Sequence, residues 1–294
     1  MKNKTLITVL GWEDRFSFGT DIILKEYNIE RILLISFQDY NSMNLENKSN
    51  FLKKVKKSNI KVDQVELNYS TSINNWKTLD LFFSKYCETS DNILINITTI
   101  PRETIWTLLF FLKKVHSRIN YIYFKPAKYC DDWLTKNHKN PRLLFKHSGL
   151  FDLSKNLVLF IITGFDNSRL NSLIEYYEPS KVIVFSQTGN QFDNEERNNG
   201  LNINSLLEIE KVEFNSYDVD GSTNILNDKI EEYKNSNIII SSQGPKLSSL
   251  STYKNYIMNE EIGLSYVPAR EFNDKYSIGI DEDYISGVFD FKAD

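Results

Sequence analysis

One stretch of the chain, residues 92–133, returns in altered form at residues 237–276. Each copy has an apolar run, a polar turn with a proline and a basic residue, a helix-like segment, a second apolar run, and then Pro-Ala-Lys or Pro-Ala-Arg. An internal repeat constrains a fold strongly, because copies of one pattern form the same structural unit. The repeat therefore predicts a chain built from two related halves.

Apolar runs alternate with amphipathic segments throughout both halves. Strands are predicted at 5–10, 32–37, 62–67, 93–97 and 119–124, and again at 157–163, 182–185, 212–214 and 238–240. Predicted helices lie between most of them, at 18–27, 49–58, 75–86, 103–115, 168–177 and 225–234. Strands that alternate with helices need crossover connections, which give mainly parallel sheets covered on both faces. The predicted fold is α/β, with two pseudo-symmetric Rossmann-like halves that arose by internal duplication.

Five matched positions support the duplication, from Gly11 with Gly164 to Pro126 with Pro268, and the separation within the pairs shrinks steadily along the chain. Small loop deletions in a duplicated domain produce such a drift. The alternative is two unrelated halves that share only the general pattern of strand, turn and helix. The predicted boundaries are an N-terminal half at 1–135, a connection at 136–154, a C-terminal half at 155–276, and an acidic, aromatic tail at 277–294.

Composition restricts the classes of partner. Basic and acidic residues are mixed along the chain and the formal net charge is −4, so a broad nucleic-acid surface is not expected. The two cysteines, Cys87 and Cys130, have neither metal-ligand nor disulfide spacing. No apolar run reaches the length of a membrane span, and the N-terminal run lacks the length of a signal peptide. We expect a cytoplasmic protein without a membrane anchor.

A ligand site is expected at the carboxyl ends of the strands, where loops and helix N-termini converge in open parallel sheets. Three turns of each half meet this description, and two of them carry a basic residue in both halves. The predicted ligand-binding residues are Gly11, Thr99, Arg102 and Lys128 in the first half, and Gly164, Gln243, Lys246 and Arg270 in the second.

Basic side chains beside helix N-termini favour a phosphate or carboxylate, because the N–H groups there carry partial positive charge. The same residues also suit ordinary helix caps and a solvated surface, and this alternative stays open. Asp14 and Glu103 are the candidate general acid–base residues, since both follow a strand in such a turn. Neither glycine-rich nucleotide fingerprint occurs, so no dinucleotide cofactor is expected, and the three histidines form no metal pattern.

The repeated βα unit resembles the CARF domains, Rossmann-like nucleotide sensors of bacterial immunity. The segments GWEDR, ITTIPRE, GPKLSSL and PAREFND also resemble bacterial proteins of similar length that are associated with defence loci. The CARF resemblance implies two copies around an oligonucleotide messenger, although this chain carries no diagnostic motif of that family.

The leading hypothesis is a protein that binds a small anionic ligand, with a nucleotide as the expected class, in a cleft between the halves. The same hypothesis includes a role for the protein in bacterial antiviral defence. Two alternatives remain. One is an enzyme that hydrolyses or transfers a nucleotide or sugar-phosphate group, and the other is a protein-interaction module with a degenerate site.

Overall fold

The computed structural model describes residues 4–69, 71–87, 92–130, 132–164, 169–188, 207–281 and 283–292. Within these residues the chain forms two six-stranded, mainly parallel sheets and seven α-helices. The predicted α/β class with two Rossmann-like halves is confirmed. The chain divides into two compact units, one formed by Met1–Asp131 with Asp274–Lys292 and the other by Asp132–Asn273.

The first unit alternates strands and helices as its apolar runs predict. Its first strands and helices are β1 (Lys4–Val9), α1 (Asp14–Glu26), β2 (Ile29–Phe37), a 3-10 helix (Gln38–Tyr40), α2 (Leu45–Lys57), β3 (Lys61–Leu67) and α3 (Ser72–Tyr86). They are followed by β4 (Ile93–Asn96), α4 (Arg102–Lys113), β5 (Arg118–Phe124) and β6 (Lys128–Tyr129), and the C-terminal segment adds β15 (Ser277–Ile278) and β16 (Tyr284–Asp290).

The sheet of this unit has the strand order β16-β5-β4-β1-β2-β3. Strands β1 to β5 run parallel, whereas β16 pairs antiparallel with β5. β1, β2 and β4 are buried along nearly their whole length, as expected of continuous apolar strands covered on both faces. On one face, Leu6, Leu34 and Leu94 pack with Phe16 of α1 and Phe51 of α2.

The second unit repeats this arrangement. Its first elements are β7 (Thr135–His138), β8 (Arg142–Leu143), β9 (Leu157–Ile162), α5 (Arg169–Tyr177), β10 (Lys181–Gln187) and β11 (Glu208–Phe214). The remaining elements are α6 (Val219–Glu232), β12 (Asn237–Ser242), α7 (Ser248–Met258), β13 (Gly263–Tyr266) and β14 (Ala269–Phe272). Its sheet has the order β11-β10-β9-β12-β13-β8, and only β8 is antiparallel to its neighbour.

The two sheets therefore have the same strand order. From the antiparallel edge inward, each runs through the fifth, fourth, first, second and third parallel strand of its unit. Pro101 and Pro245 occupy corresponding places, since each follows the fourth strand and precedes the next helix.

Each unit is completed by strands from a distant part of the chain. In the first unit, β6 pairs with β15 and β5 pairs with β16. In the second unit, β14 pairs with β7 and β13 pairs with β8. The residues predicted as a tail, 277–294, thus include two strands of the first unit. Those predicted as a connection, 136–154, include β8 and most of β7.

Four helices, α1, α2, α3 and α6, begin three to six residues earlier than the sequence predicts. Helix α1 begins at Asp14 rather than Phe18, and the Phe16 N–H donates to the Glu13 carbonyl in its first turn. Helix α6 begins at Val219 rather than Ile225, after the Asp218 carboxylate accepts the Gly221 N–H at 2.9 Å. Apolar periodicity located the bodies of these helices, but their first turns are mainly polar and carry no such signal.

Candidate functional site

The loop after β1 lies directly against the loop after β4 at the carboxyl edge of the first sheet. Gly11 is buried, and a Cβ atom there would lie 2.7 Å from Thr99 Cγ2. Thr99 Oγ1 donates to the Val9 carbonyl at 2.6 Å, which ties the two loops together. Glycine at position 11 is therefore what permits this close approach.

The second unit builds the same contact with different residues. A Cβ atom on Gly164 would lie 2.2 Å from the Gln243 carbonyl oxygen, and one on Gly244 would lie 2.7 Å from the Thr163 carbonyl oxygen. The loops after the first and fourth strands thus meet at the carboxyl edge of both sheets. The structure brings together the predicted residues Gly11 and Thr99 in one unit, and Gly164 and Gln243 in the other.

The two helices that follow these loops begin differently. Helix α4 begins at Arg102 with an ordinary α-turn, in which the Ile105 N–H donates to the Pro101 carbonyl. The N–H groups at the start of an α-helix have no acceptor within the helix, and they give it a positive end. Arg102 is half-buried there.

The approach to α7 is a series of tighter turns. The N–H groups of Ser248, Ser249 and Leu250 donate to the carbonyls three residues earlier, at about 3 Å. Ser242 Oγ lies 2.6 Å from Ser248 Oγ. Because these first N–H groups already have acceptors, the half-buried Lys246 is the main positive group at this helix start.

A buried polar cluster lies beside the Gly11 loop. Arg15 Nε donates to Glu13 Oε2 at 2.8 Å, and Arg15 Nη1 donates to the Phe124 carbonyl at 3.2 Å. Tyr276 OH donates to Glu13 Oε1 at 3.3 Å, and Ser277 Oγ donates to Glu13 Oε2 at 2.7 Å. We call Glu13, Arg15, Tyr276 and Ser277 the Arg15 cluster. It joins the loop after β1 to the C-terminal segment of the chain.

Burial and neighbouring charges shift the pKa values of the side chains in and beside this cluster. Burial alone lowers the pKa of Arg15, but the Glu13 carboxylate and nearby tyrosines hold it well above its usual value. Burial and Glu13 raise the pKa of Tyr276, whereas Arg15 and Arg102 act in the opposite direction. Burial also raises the pKa of Tyr129, whose ring stacks on Tyr276 with centroids 5.7 Å apart. Arg102 is thus close enough to Tyr276 to act on it electrostatically.

The second unit has a corresponding cluster around Arg169, the first residue of α5. Arg169 Nη1 donates to Gln243 Oε1 at 3.0 Å and to the Val267 carbonyl at 3.3 Å. Arg169 Nη2 donates to Thr135 Oγ1 at 2.7 Å. Gln243 Nε2 in turn donates to Ser241 Oγ at 2.9 Å, so both ends of this amide are engaged. We call Thr135, Arg169 and Gln243 the Arg169 cluster.

The remaining predicted basic residues, Lys128 and Arg270, lie on the two-stranded sheets β6-β15 and β7-β14. Lys128 on β6 and Arg270 on β14 are both exposed. Their strands pair with β15 and β7 respectively.

Asp14 and Glu103 lie in different environments. Asp14 is exposed, and its Oδ2 accepts the Gly279 N–H at 3.1 Å. Glu103 is buried in the first turn of α4, and its carbonyl accepts the Thr107 hydroxyl at 2.9 Å. Asp166 stands two residues after Gly164, as Glu13 does after Gly11, and is the predicted counterpart of Glu13; it lies outside the described residues.

Trp12 belongs to an aromatic group at the same edge of the first sheet. Its ring meets Tyr40 edge-on at 5.2 Å, and Tyr40 meets Tyr69 in the same way at 5.5 Å. Phe165, the matching aromatic of the second half, lies outside the described residues.

Two further properties concern the described part of the chain as a whole. No group of three or more His, Cys, Asp or Glu side chains there is placed to hold a metal ion. None of the helices in those ranges combines the length and the apolar character that a membrane crossing requires.

The turns that contain Arg15 and Arg169 correspond in the two halves of the sequence, but neither arginine was among the predicted site residues. A signal was present, because an arginine follows the first strand at a similar distance in both halves. Charged residues in such turns are usually exposed, however. Two partners of Arg15, the Phe124 carbonyl and the Tyr276 hydroxyl, also lie more than 100 residues away along the chain.

No protein-family model matches the sequence, and no curated protein matches it. Among solved structures, the chain is similar to a type III CRISPR defence DNA nuclease activated by cyclic oligoadenylate. The TM-score is 0.53 and the identity 7%, over 86% of this chain and 63% of that one. The cytoplasmic domain of a prokaryotic cation chloride cotransporter also matches, with 10% identity over 93% of this chain and 97% of that one. Its TM-score of 0.27 is too low to indicate a shared fold. The chain thus spans less than two thirds of the nuclease, and at 7% identity the likeness shows a shared α/β fold.

Proposed function

We propose that the chain binds a small anionic ligand of the nucleotide class through the carboxyl-edge loops of its two units. The observation that carries the proposal is the repeated construction of these loops. In each unit a glycine lets the loop after the first strand touch the loop after the fourth, and a Pro-Arg or Pro-Lys pair leads into the next helix. A duplicated ancestor accounts for finding one such edge in each unit.

In the first unit, Arg102 and the N-terminus of α4 would hold a phosphate, since both present positive charge at the edge. Gly11 and Thr99 would line the approach to it. Lys128, which is exposed on β6, would supply longer-range attraction.

In the second unit, Lys246 would carry the corresponding charge, and Arg270 on β14 corresponds to Lys128. Gly164 would line the approach. Gln243 would hold the loop rather than touch the ligand, because Arg169 and Ser241 occupy both ends of its amide.

The similar nuclease, which its description says is activated by cyclic oligoadenylate, supports a cyclic oligonucleotide as the first ligand to test and antiviral defence as the setting. Its nuclease activity is not part of the proposal, since the chain spans only 63% of that protein. The hydrolytic alternative has less support, because Asp14 is engaged with Gly279 and Glu103 is buried.

Isothermal titration calorimetry would test the proposal with cyclic tetra-adenylate, linear tetra-adenylate, AMP, ATP and inorganic phosphate. We expect at least one nucleotide to bind, and Arg102→Ala and Lys246→Ala each to weaken it by about tenfold or more, because each removes a charged hydrogen-bond donor. Lys56→Ala, at an exposed lysine of α2, is the matched control and should leave the affinity unchanged. Binding that is absent throughout the panel, or that survives both substitutions, would refute the proposal. Product analysis in the same mixtures would reveal hydrolysis.

A further inference from the structure

We infer that Arg15 and Arg169 are positioning residues, each of which fixes a ligand-binding loop against a segment from a distant part of the chain. In the first unit, the Arg15 cluster holds the Gly11–Asp14 loop against residues 276–279. In the second, the Arg169 cluster holds Gln243 and its loop against Thr135. This inference rests on the proposed function, which it deepens by making ligand affinity depend on residues that do not touch the ligand.

The contacts in the first unit converge on one carboxylate. Glu13 accepts hydrogen bonds from Arg15, Tyr276 and Ser277, and the last two lie more than 250 residues further along the chain. One residue beyond Glu13, the Asp14 carboxylate accepts the Gly279 N–H. The segment therefore holds the loop at two successive residues.

A second support secures the other side of this loop. Asn47 Nδ2, on α2, donates to the Gly11 carbonyl at 2.8 Å, and Asn47 Oδ1 accepts the Ser17 hydroxyl at 2.8 Å. The loop is thus held between α2 and residues 276–279. Fixed supports of this kind are what a binding loop needs in order to keep its backbone in one conformation.

The two units reach the same result with different chemistry. Both arginines lie in the first turn of the helix after the first strand, and both donate to a main-chain carbonyl at the end of the fifth strand, Phe124 or Val267. Arg15 is then paired with a carboxylate, whereas Arg169 is paired with an amide and a hydroxyl. Because the ion pair of Arg15 is not repeated at Arg169, the feature common to the two clusters is the position in which each arginine holds its loop.

Arg102 also has a small electrostatic effect on the Arg15 cluster. Arg102 lowers the pKa of Tyr276 through its charge, against the larger raising effects of burial and Glu13. The residue that would hold the ligand and the residue that holds the loop therefore lie within each other's electrostatic reach.

Tyr276→Phe tests the inference in the full-length protein. The substitution keeps the ring that stacks on Tyr129 and removes the hydroxyl that contacts Glu13 and Arg15. Tyr284→Phe is the matched control, because Tyr284 OH donates to Glu26 at 2.6 Å on the same C-terminal segment but away from the loop. We expect hydrogen exchange in Tyr276→Phe to rise selectively at residues 10–16, by about tenfold, and to be unchanged there in the control.

Cyclic tetra-adenylate affinity provides the second measurement, with an expected loss of about tenfold in Tyr276→Phe and none in Tyr284→Phe. Exchange that rises uniformly over the first unit would show that the hydroxyl contributes only to overall stability. Exchange that stays at the wild-type rate at residues 10–16 would show that the hydroxyl does not hold the loop. Either result would overturn the inference. Hydrogen exchange needs no ligand, so wild-type protein that binds no nucleotide would refute the proposed function, while the exchange result would still decide the role of Tyr276.

Discussion

Replacing Arg15 by methionine should destabilise the first unit far more than a typical substitution does. Glu13 is only 7% exposed and Arg15 only 1%, so the change leaves a carboxylate buried without its counter-charge. At the 2.8 Å between Arg15 Nε and Glu13 Oε2, two unit charges attract by about 6 kcal/mol at an effective dielectric constant of about 20. The Tyr276 and Ser277 hydroxyls still donate to Glu13 and offset part of this loss. We expect the free energy of unfolding to fall by about 3–5 kcal/mol, as for other broken buried pairs.

Urea unfolding followed by tryptophan fluorescence and by circular dichroism would measure this loss. For a unit of this size the expected fall in melting temperature is about 6–20 °C. The decisive comparison is with the double variant Glu13→Gln/Arg15→Met, which leaves no isolated charge. It should be more stable than the sum of the two single losses predicts, by at least about 1 kcal/mol. Additive losses, or a loss below about 1 kcal/mol for Arg15→Met alone, would contradict the assignment of a coupled buried pair.

Three further outcomes follow from the contacts. Gly164→Ala should destabilise more than Gly11→Ala, by about 1–3 kcal/mol in thermal unfolding, because the new methyl group meets a fixed carbonyl oxygen at 2.2 Å rather than a threonine side chain at 2.7 Å. Lys54→Met, which removes an exposed ion pair with Asp21, should change stability by less than about 1 kcal/mol in the same assay. Burial raises the pKa of Tyr177 to about 12, so the folded state keeps a proton that the unfolded chain releases near pH 10. Stability should therefore fall as the pH rises from about 10 to 12, and Tyr177→Phe should reduce that fall in pH-dependent urea titrations.

The fold was largely predictable because its parallel strands are continuous apolar runs. Runs such as 32–37 and 93–97 can be satisfied only by burial on both faces, so their alternation with helices indicated parallel sheets before any contact was known. Strand β16 was not predictable in this way. Of its side chains only Phe289 is buried, and its partner β5 lies far earlier in the chain.

The candidate site was predictable in outline and not in its supports. Gly11, Thr99 and Arg102 were assigned because parallel strands bring their following loops to one edge. Arg15 was not assigned, since a charged residue in a turn is usually exposed. Its burial depends on Tyr276, whose approach no local pattern in the sequence reveals.

The pairing of β5 with β16 sets a limit on how this protein can be made. During synthesis the first five strands are made well before residues 284–290, so the edge of β5 stays unpaired until those residues are available. A fragment that ends near residue 131 would keep that edge permanently unpaired, and open edges recruit other strands. Biochemical work on the first unit therefore requires a polypeptide that extends through residue 290.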